Sequence, residues 1–145
     1  MSAEGLALIG RLGLAAIRGA GWQPRAIGGL TLGADPVAYA IAAASVAAEP
    51  VVNAFTVRKE AKSHGTGRRI EGNFEAGAPV VVIEDVITTG GSARQAIDVV
   101  QSEGGLVLGV LAVVDREEGG RDALEALGVR VVTLTTAGQL GLAGA

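Results

Sequence analysis

The run Val80-Val81-Val82-Ile83 constrains the fold most, because four consecutive β-branched residues are typical of a strand that is buried on both faces of a sheet. The run leads into two acids, Glu84 and Asp85, and then into a turn rich in hydroxyl groups and glycine at residues 88–92. Acids at a strand end accept hydrogen bonds from sugar hydroxyls, and free backbone N–H groups at a helix start bind phosphate. This order is typical of a site for a phosphorylated sugar.

Apolar periodicity predicts strands that alternate with helices along the chain. Such an order favours an α/β fold, a mostly parallel sheet flanked by helices on both faces, with ligands beyond the carboxyl ends of the strands. The predicted strands are residues 26–30, 51–57, 80–83, 106–114 and 129–134. The predicted helices are residues 6–17, a helix with Asp35 as N-cap and Pro36 at its first position that runs to about Ala48, residues 92–103 and residues 120–127.

Composition narrows the class of protein. A chain of 145 residues with 49% hydrophobic residues can bury a core without metal or disulfides, so we expect a single core domain over residues 1–145. The absence of cysteine excludes a disulfide framework and is compatible with a reducing compartment, so we expect a cytoplasmic protein. The net charge of −3 argues against nucleic-acid binding, and no apolar run is long enough for a membrane span.

Basic residues are concentrated in one segment that shows neither strand alternation nor a helical stripe. A solvated charged loop with an ordinary surface histidine is one interpretation of this segment. The other is a flexible cationic lid over a diphosphate, since Gly65 and Gly67 permit motion. In either case we expect a long mobile loop over residues 58–72. Five of the twelve basic residues lie in it: Arg58, Lys59, Lys62, Arg68 and Arg69.

The turn after the buried strand also has two interpretations. The acids could only cap a helix while the glycines make a tight crossing, or together they could bind a sugar phosphate. The combination favours the sugar phosphate, although no lysine follows the glycines as it does in a P-loop. Taken alone, the segment 28–35 would be a simple strand-to-helix connection. Arg116, taken alone, would be a surface charge.

Residues 81–92, worded Glu-Asp-Val-Ile-Thr-Thr-Gly-Gly-Ser from position 84, resemble the phosphoribosyl diphosphate (PRPP) signature of type I phosphoribosyltransferases. The wording is similar to that of bacterial orotate phosphoribosyltransferases. The resemblance implies that the acids contact the ribose hydroxyls and that the turn wraps the 5′-phosphate. The PRPP-binding residues implied are Glu84, Asp85, Val86, Ile87, Thr88, Thr89, Gly90, Gly91 and Ser92.

The pattern Arg-Lys-x-x-Lys-x-His-Gly at residues 58–65 resembles the catalytic loop of the same family. In that family the loop closes over the active site of the neighbouring subunit, so the resemblance implies a homodimer. It also implies that the loop grips the diphosphate through Arg58, Lys59, Lys62 and His64. The catalytic set implied is Lys59, Lys62, His64 and Asp85.

Two further segments resemble family motifs. Residues 28–35 are similar to the pyrophosphate loop of actinobacterial members, and Leu32 stands where some relatives carry lysine, so backbone N–H groups of Thr31, Leu32 and Gly33 are expected to bind. Asp115-Arg116 resembles the position where a family arginine contacts the orotate carboxylate, which suits the donor fork of arginine. The resemblance thus implies that Thr88 and Arg116 bind orotate.

The resemblance implies transfer of ribose 5-phosphate from PRPP to orotate, giving orotidine 5′-monophosphate and pyrophosphate in de novo pyrimidine biosynthesis. Mg²⁺ would be held mainly by the substrate and water. Family members carry an additional N-terminal hood segment, with a serine-glycine-arginine motif and aromatic residues, and this sequence begins after that point. The alternatives are transfer to another base, or an impaired PRPP-binding core or sensor.

Overall fold

The computed structural model describes residues 1–65 and 67–142, which form helices and strands in near-regular alternation. The helices are α1 (Ala3–Gly19), α2 (Ala34–Val46), α3 (Gly91–Ser102) and α4 (Gly120–Ala126). The strands are β1 (Ala26–Leu30), β2 (Asn53–Val57), β3 (Ile70–Gly72), β4 (Pro79–Ile87), β5 (Leu106–Asp115) and β6 (Val131–Thr136).

The six strands of the described residues belong to one sheet in the order β3-β2-β1-β4-β5-β6. Only β3 is antiparallel, to β2, and the other neighbours are parallel. The carboxyl ends of β1, β2, β4 and β5 therefore meet at one edge of the sheet.

The sheet is covered on both faces by helices, which explains the apolar run in β4. Val80 and Val82 pack with α3 and α4 in one core cluster, and Val81 and Ile83 pack with α1 and α2 in the other. Successive side chains of a strand point to opposite faces, so a strand between two helical layers needs apolar residues at every position. The predicted fold class is confirmed.

Several predicted boundaries were wrong. Ile70–Gly72, placed in the long loop, is strand β3, because Ile70 is buried and pairs with Val57 of β2. Asp35 is not the N-cap of α2, since Gly33 takes that position and Asp35 lies in the first turn. Strand β2 begins two residues later than expected, whereas β4 continues through the acids to Ile87 because its pairing with β5 continues to that residue.

Among the described residues, none of the helices combines the length and apolar character that a membrane crossing requires.

The last strand is displaced from the predicted 129–134 to Val131–Thr136, where it pairs with the carboxyl half of β5.

Candidate functional site

Four segments of the predicted site follow strands that end at the same edge of the sheet. Residues 31–33 follow β1, residues 58–65 follow β2, residues 84–92 contain the end of β4 and the start of α3, and Arg116 follows β5. The parallel pairing of these strands is what brings segments far apart in sequence to one edge.

The turn between β4 and α3 surrounds a cavity of about 420 Å³ that residues 84 and 86–92 line together with Gln95. Gly90 is the N-cap of α3 and has a left-handed backbone with φ 89°, which glycine adopts without strain. In the described part of the chain, the N–H groups of residues 88–92 have no protein acceptor. Successive free N–H groups at a helix N-terminus form an anion site.

The first residue of α4, Gly120, packs against this turn. The N–H of Gly120 donates to the Thr88 carbonyl at 3.0 Å. A Cβ at Gly120 would lie 2.5 Å from the same carbonyl oxygen, so no side chain fits between the two segments. Ile87 is 1% exposed, and its carbonyl accepts from the N–H of Arg116, so its side chain belongs to the core and its backbone ties β5 to the turn.

The two acids at the end of β4 differ in environment. Glu84 is 6% exposed, and burial, reinforced by the neighbouring Asp85, raises the pKa of its carboxyl group to about 8. Asp85 is partly exposed, and its Oδ1 accepts from the N–H of Val86 at 2.8 Å. Glu84 is therefore mostly protonated at neutral pH and can donate to an oxygen, whereas Asp85 stands at the rim as an acceptor.

The loop after β1 lies against Asp85. A Cβ at Gly33 would stand 2.7 to 2.9 Å from the carboxyl group of Asp85, so the two are in close contact. The N–H of Thr31 donates to the Val57 carbonyl at 2.9 Å and is not free. Among the described residues the N–H groups of Leu32 and Gly33 have no protein acceptor, and the side chain of Leu32 is 79% exposed.

Hydrogen bonds between Arg58 and Arg69 hold the two ends of the cationic segment together, and the side chains of the described residues between them are largely exposed. Arg58 and Arg69 pair through the N–H of Arg58 and the carbonyl of Arg69 at 2.7 Å, and the Arg69 guanidinium donates back to the Arg58 carbonyl at 3.0 Å. Gln95 of α3 donates to the Lys59 carbonyl at 3.2 Å. The segment thus starts beside the cavity, and the side chains of Lys59 and His64 are exposed.

Glu71 of β3 holds two of the predicted diphosphate ligands. Its Oε1 lies 3.2 Å from Arg58 Nη1 and 3.0 Å from Lys62 Nζ. These contacts, those with Lys62 above all, lower the pKa of Glu71. In the described part of the chain no hydrogen bond or ion pair joins Lys62 or His64 to the turn after β4.

Arg116 projects from a short segment that is tied down on both sides. Its own side chain pairs with Glu118, with Nε 3.3 Å from Oε1. The adjacent Glu117 donates its N–H to the buried Asp115 at 2.8 Å and accepts from the N–H of Gly138 at 2.8 Å. The backbone that carries Arg116 is therefore fixed to β5 and to the turn after β6.

Three contributors were missed from the sequence. Gln95 follows Ser92 by three residues and so lies on the same face of α3, which the sequence could have indicated. Gly120 and Glu71 had no such signal, because each contacts the site only through the packing of a distant helix or strand.

Two known proteins that resemble this chain in sequence belong to one family. No family model matches the chain. The orotate phosphoribosyltransferase of Aquifex aeolicus is 51% identical over 113 residues, which are 78% of this chain and 62% of that protein. The orotate phosphoribosyltransferase of Rhodopirellula baltica is 42% identical over 143 residues, 96% of this chain and 74% of that protein. The chain thus spans less than two thirds of the first relative and about three quarters of the second.

A solved structure of the same family resembles this fold. The Mycobacterium tuberculosis orotate phosphoribosyltransferase in complex with 5-phospho-α-D-ribosyl 1-diphosphate superimposes with a TM-score of 0.81 and 46% identity, covering 94% of this chain and 75% of that one. The sheet order, the anion site at the start of α3 and these similarities show that the chain belongs to the orotate phosphoribosyltransferase family.

Proposed function

We propose that this chain transfers ribose 5-phosphate from PRPP to orotate, giving orotidine 5′-monophosphate and pyrophosphate, as a cytoplasmic step of pyrimidine biosynthesis. The observation that carries the proposal is that Glu84 of β4 and the free N–H groups at the start of α3 line the same cavity. A sugar phosphate needs both: acceptors and donors for ribose hydroxyls at one end and an anion site for the 5′-phosphate at the other. The relative solved with PRPP supports this donor.

The ribose would bind between the paired acids and the turn. Asp85 accepts hydrogen bonds from ribose hydroxyls at the rim, and Glu84 contacts them from the buried side. The amides of residues 88–92 bind the 5′-phosphate, with Thr88, Thr89 and Ser92 adding hydroxyl donors. The diphosphate then extends toward Leu32 and Gly33, whose loop contacts Asp85.

The transfer breaks the bond between ribose C1 and the diphosphate oxygen, and the bonding electron pair leaves with the pyrophosphate. Positive charge develops on the ring and negative charge on the leaving group, so mobile cations beside the diphosphate lower the barrier. Lys59, Lys62, Arg58 and His64 are the candidates, on a segment anchored at its base by Arg69. We propose that two copies of the chain form a homodimer and that this segment acts on the partner's site.

Orotate N1 forms the new bond to C1 from the side opposite the leaving group, and the proton that N1 loses passes to water. Thr88 and Arg116 would hold the orotate, with the guanidinium of Arg116 exchanging Glu118 for the orotate carboxylate. No side chain needs to form a covalent intermediate, since positioning and electrostatics can carry such a transfer.

The chemistry of the donor also implies Mg²⁺. Among the residues that the structure describes, no group of three or more acidic or histidine side chains is arranged to hold a metal ion. We propose that the ion would be held mainly by oxygens of the substrate and by water, with no direct ligand from the protein. The ion, when bound, neutralises charge on the diphosphate.

The test is consumption of orotate by the purified chain with Mg²⁺ and PRPP, compared with Lys59→Ala. We expect the variant to lose about a hundredfold or more in turnover, the typical cost of removing a group that stabilises transition-state charge. Arg11→Ala on α1 is the matched control, because it removes an exposed cation that lies outside the strand-end edge. Failure of the wild-type chain to consume orotate while it still binds PRPP would refute the proposed reaction.

A further inference from the structure

Asp35, in the first turn of α2, is the centre of a small hydrogen-bond network beside the loop after β1. Thr31 Oγ1 donates to Asp35 Oδ2 at 2.7 Å, and Thr56 Oγ1 donates to Asp35 Oδ1 at 3.1 Å. Tyr39 OH lies 2.7 Å from Thr56 Oγ1. Because the single hydroxyl proton of Thr56 goes to Asp35, Tyr39 is the donor in this last contact.

The network joins two parts of the site that are distant in sequence. Thr31 is the first residue of the loop that follows β1, and Thr56 lies in β2, one residue before the strand ends and the cationic segment begins. The backbone of the loop is tied to the same residue, since the N–H of Asp35 donates to the Leu32 carbonyl at 3.1 Å. One side chain therefore links the loop to strand β2, which leads directly into Arg58.

The opposite side of the loop is fixed by Asp85. A Cβ at Gly33 would be 2.7 Å from the nearer Asp85 carboxyl oxygen, so the loop is packed closely against this side chain. Asp35 holds it through Thr31 on one side and Asp85 confines it on the other. The free N–H groups of Leu32 and Gly33 are thereby held at a set distance from the acids at the end of β4.

Asp35 carries a negative charge, so it cannot bind the diphosphate directly. Through its charge alone, a carboxylate beside an anion-binding loop would repel a diphosphate. Here both of its oxygens are engaged by threonine hydroxyls, so its contribution is geometric. Hydrogen bonds that are made before the ligand arrives order the loop in advance, so that binding does not have to order it.

We propose that Asp35 is a positioning residue for the diphosphate end of the donor: through Thr31 and Thr56 it sets where the Leu32 and Gly33 N–H groups meet the diphosphate relative to the ribose and its 5′-phosphate. This inference rests on the proposed function of the site. It assigns no contact between Asp35 and the substrate.

The test separates the two ends of the donor. Calorimetry measures the binding of inorganic pyrophosphate with Mg²⁺, which reports on the loop after β1, and of ribose 5-phosphate, which reports on the turn at residues 88–92. We expect Asp35→Ala to bind pyrophosphate and PRPP about tenfold more weakly, as expected for loss of two hydrogen bonds to a charged group, and to bind ribose 5-phosphate as the wild type does. In turnover, the KM for PRPP rises and that for orotate does not.

Two further variants identify the cause. Asp35→Asn should recover most of the pyrophosphate affinity, because a threonine hydroxyl can rotate to accept from the amide that replaces one oxygen. Thr56→Val removes one of the two hydrogen bonds without touching the loop, and we expect about a threefold loss. If Asp35→Ala does not fold, the pyrophosphate affinity of Thr56→Val tests the inference in its place. Tyr39→Phe is the matched control, because it removes a hydroxyl group but leaves both hydrogen bonds to Asp35 in place.

Three outcomes overturn the inference. The first is that Asp35→Ala and Thr56→Val bind pyrophosphate with the affinity of the wild type. The second is that Asp35→Ala weakens ribose 5-phosphate binding as much as pyrophosphate binding, and the third is that Asp35→Asn binds pyrophosphate as weakly as Asp35→Ala. A wild-type chain that binds neither PRPP nor ribose 5-phosphate rejects the proposed function instead. The two failures are therefore distinguishable.

Discussion

Replacement of Glu84 by glutamine should stabilise the protein in a pH-dependent way. Glu84 is 6% exposed and its pKa is raised from 4.5 to about 8, first by burial and then by Asp85. Glutamine has nearly the same shape as the protonated acid, so its Oε1 can accept from the N–H of Asp85 as Glu84 Oε1 does at 3.2 Å. The substitution thus removes the ionisation and keeps the packing.

The sign of the effect follows from where the proton is held. The native state binds the Glu84 proton up to a pH of about 8, whereas the unfolded chain releases it near 4.5, so the free energy of unfolding of the wild type falls as the pH rises between these values. At about 1.4 kcal/mol per pKa unit, the full penalty above pH 8 is at most about 5 kcal/mol. Between about pH 5 and pH 9 the wild type should lose about 4 kcal/mol relative to the glutamine variant.

The assay is urea unfolding of both proteins, without ligand, at several pH values across that range. The quantity of interest is the difference in the free energy of unfolding between the variant and the wild type, in which contributions from other groups cancel. Asp98→Asn, which removes an exposed acid of α3, is the matched control. A difference that does not grow with pH would show that the native protein holds Glu84 ionised and would refute the reasoning. The variant should also bind PRPP more weakly, because an amide replaces a carboxyl group at the ribose.

Three other changes test the surroundings of the cavity. Gly120→Ala should cost about 2 kcal/mol of stability, measured by urea unfolding, and weaken ribose 5-phosphate binding, because its Cβ would lie 2.5 Å from the Thr88 carbonyl oxygen; unchanged binding would contradict this packing. Arg116→Ala should raise the KM for orotate about tenfold or more while PRPP binding, measured by calorimetry, is retained. Glu71→Gln should release Lys62 and improve PRPP affinity up to about threefold at low salt, a gain that salt should abolish if the ion pair is its cause.

Much of the fold followed from local patterns. The strand Ala26–Leu30 was predicted with the bounds that the structure shows, and the helices α1, α3 and α4 were placed within a few residues of their observed ends. Each of the three helices is followed two residues later by a glycine, namely Gly21, Gly104 and Gly128, so local residues mark where it ends. The three-residue strand β3 has no period of its own and exists only through its pairing with β2.

The site was predicted in a similar, partial way. Contiguous motifs at residues 84–92 and 58–65 were visible because the residues that act together are adjacent in the chain. Asp35 was interpreted as a helix cap because an acid before a helix usually accepts from the helix N–H groups. Its real acceptor role is toward Thr31 and Thr56, and Thr56 is 21 residues away, so no local pattern could reveal it.

The sequence by itself determined the types of all elements except β3, the doubly covered sheet and the chemistry of the turn after β4, because apolar period, glycine placement and contiguous polar motifs are local properties. Only the tertiary structure decided which face of the loop at residues 31–33 is confined, why Glu84 carries a raised pKa, and that Glu71 holds Arg58 and Lys62. The physical reason is that burial, close packing and ion pairing depend on neighbours that the chain brings together only when the sheet forms.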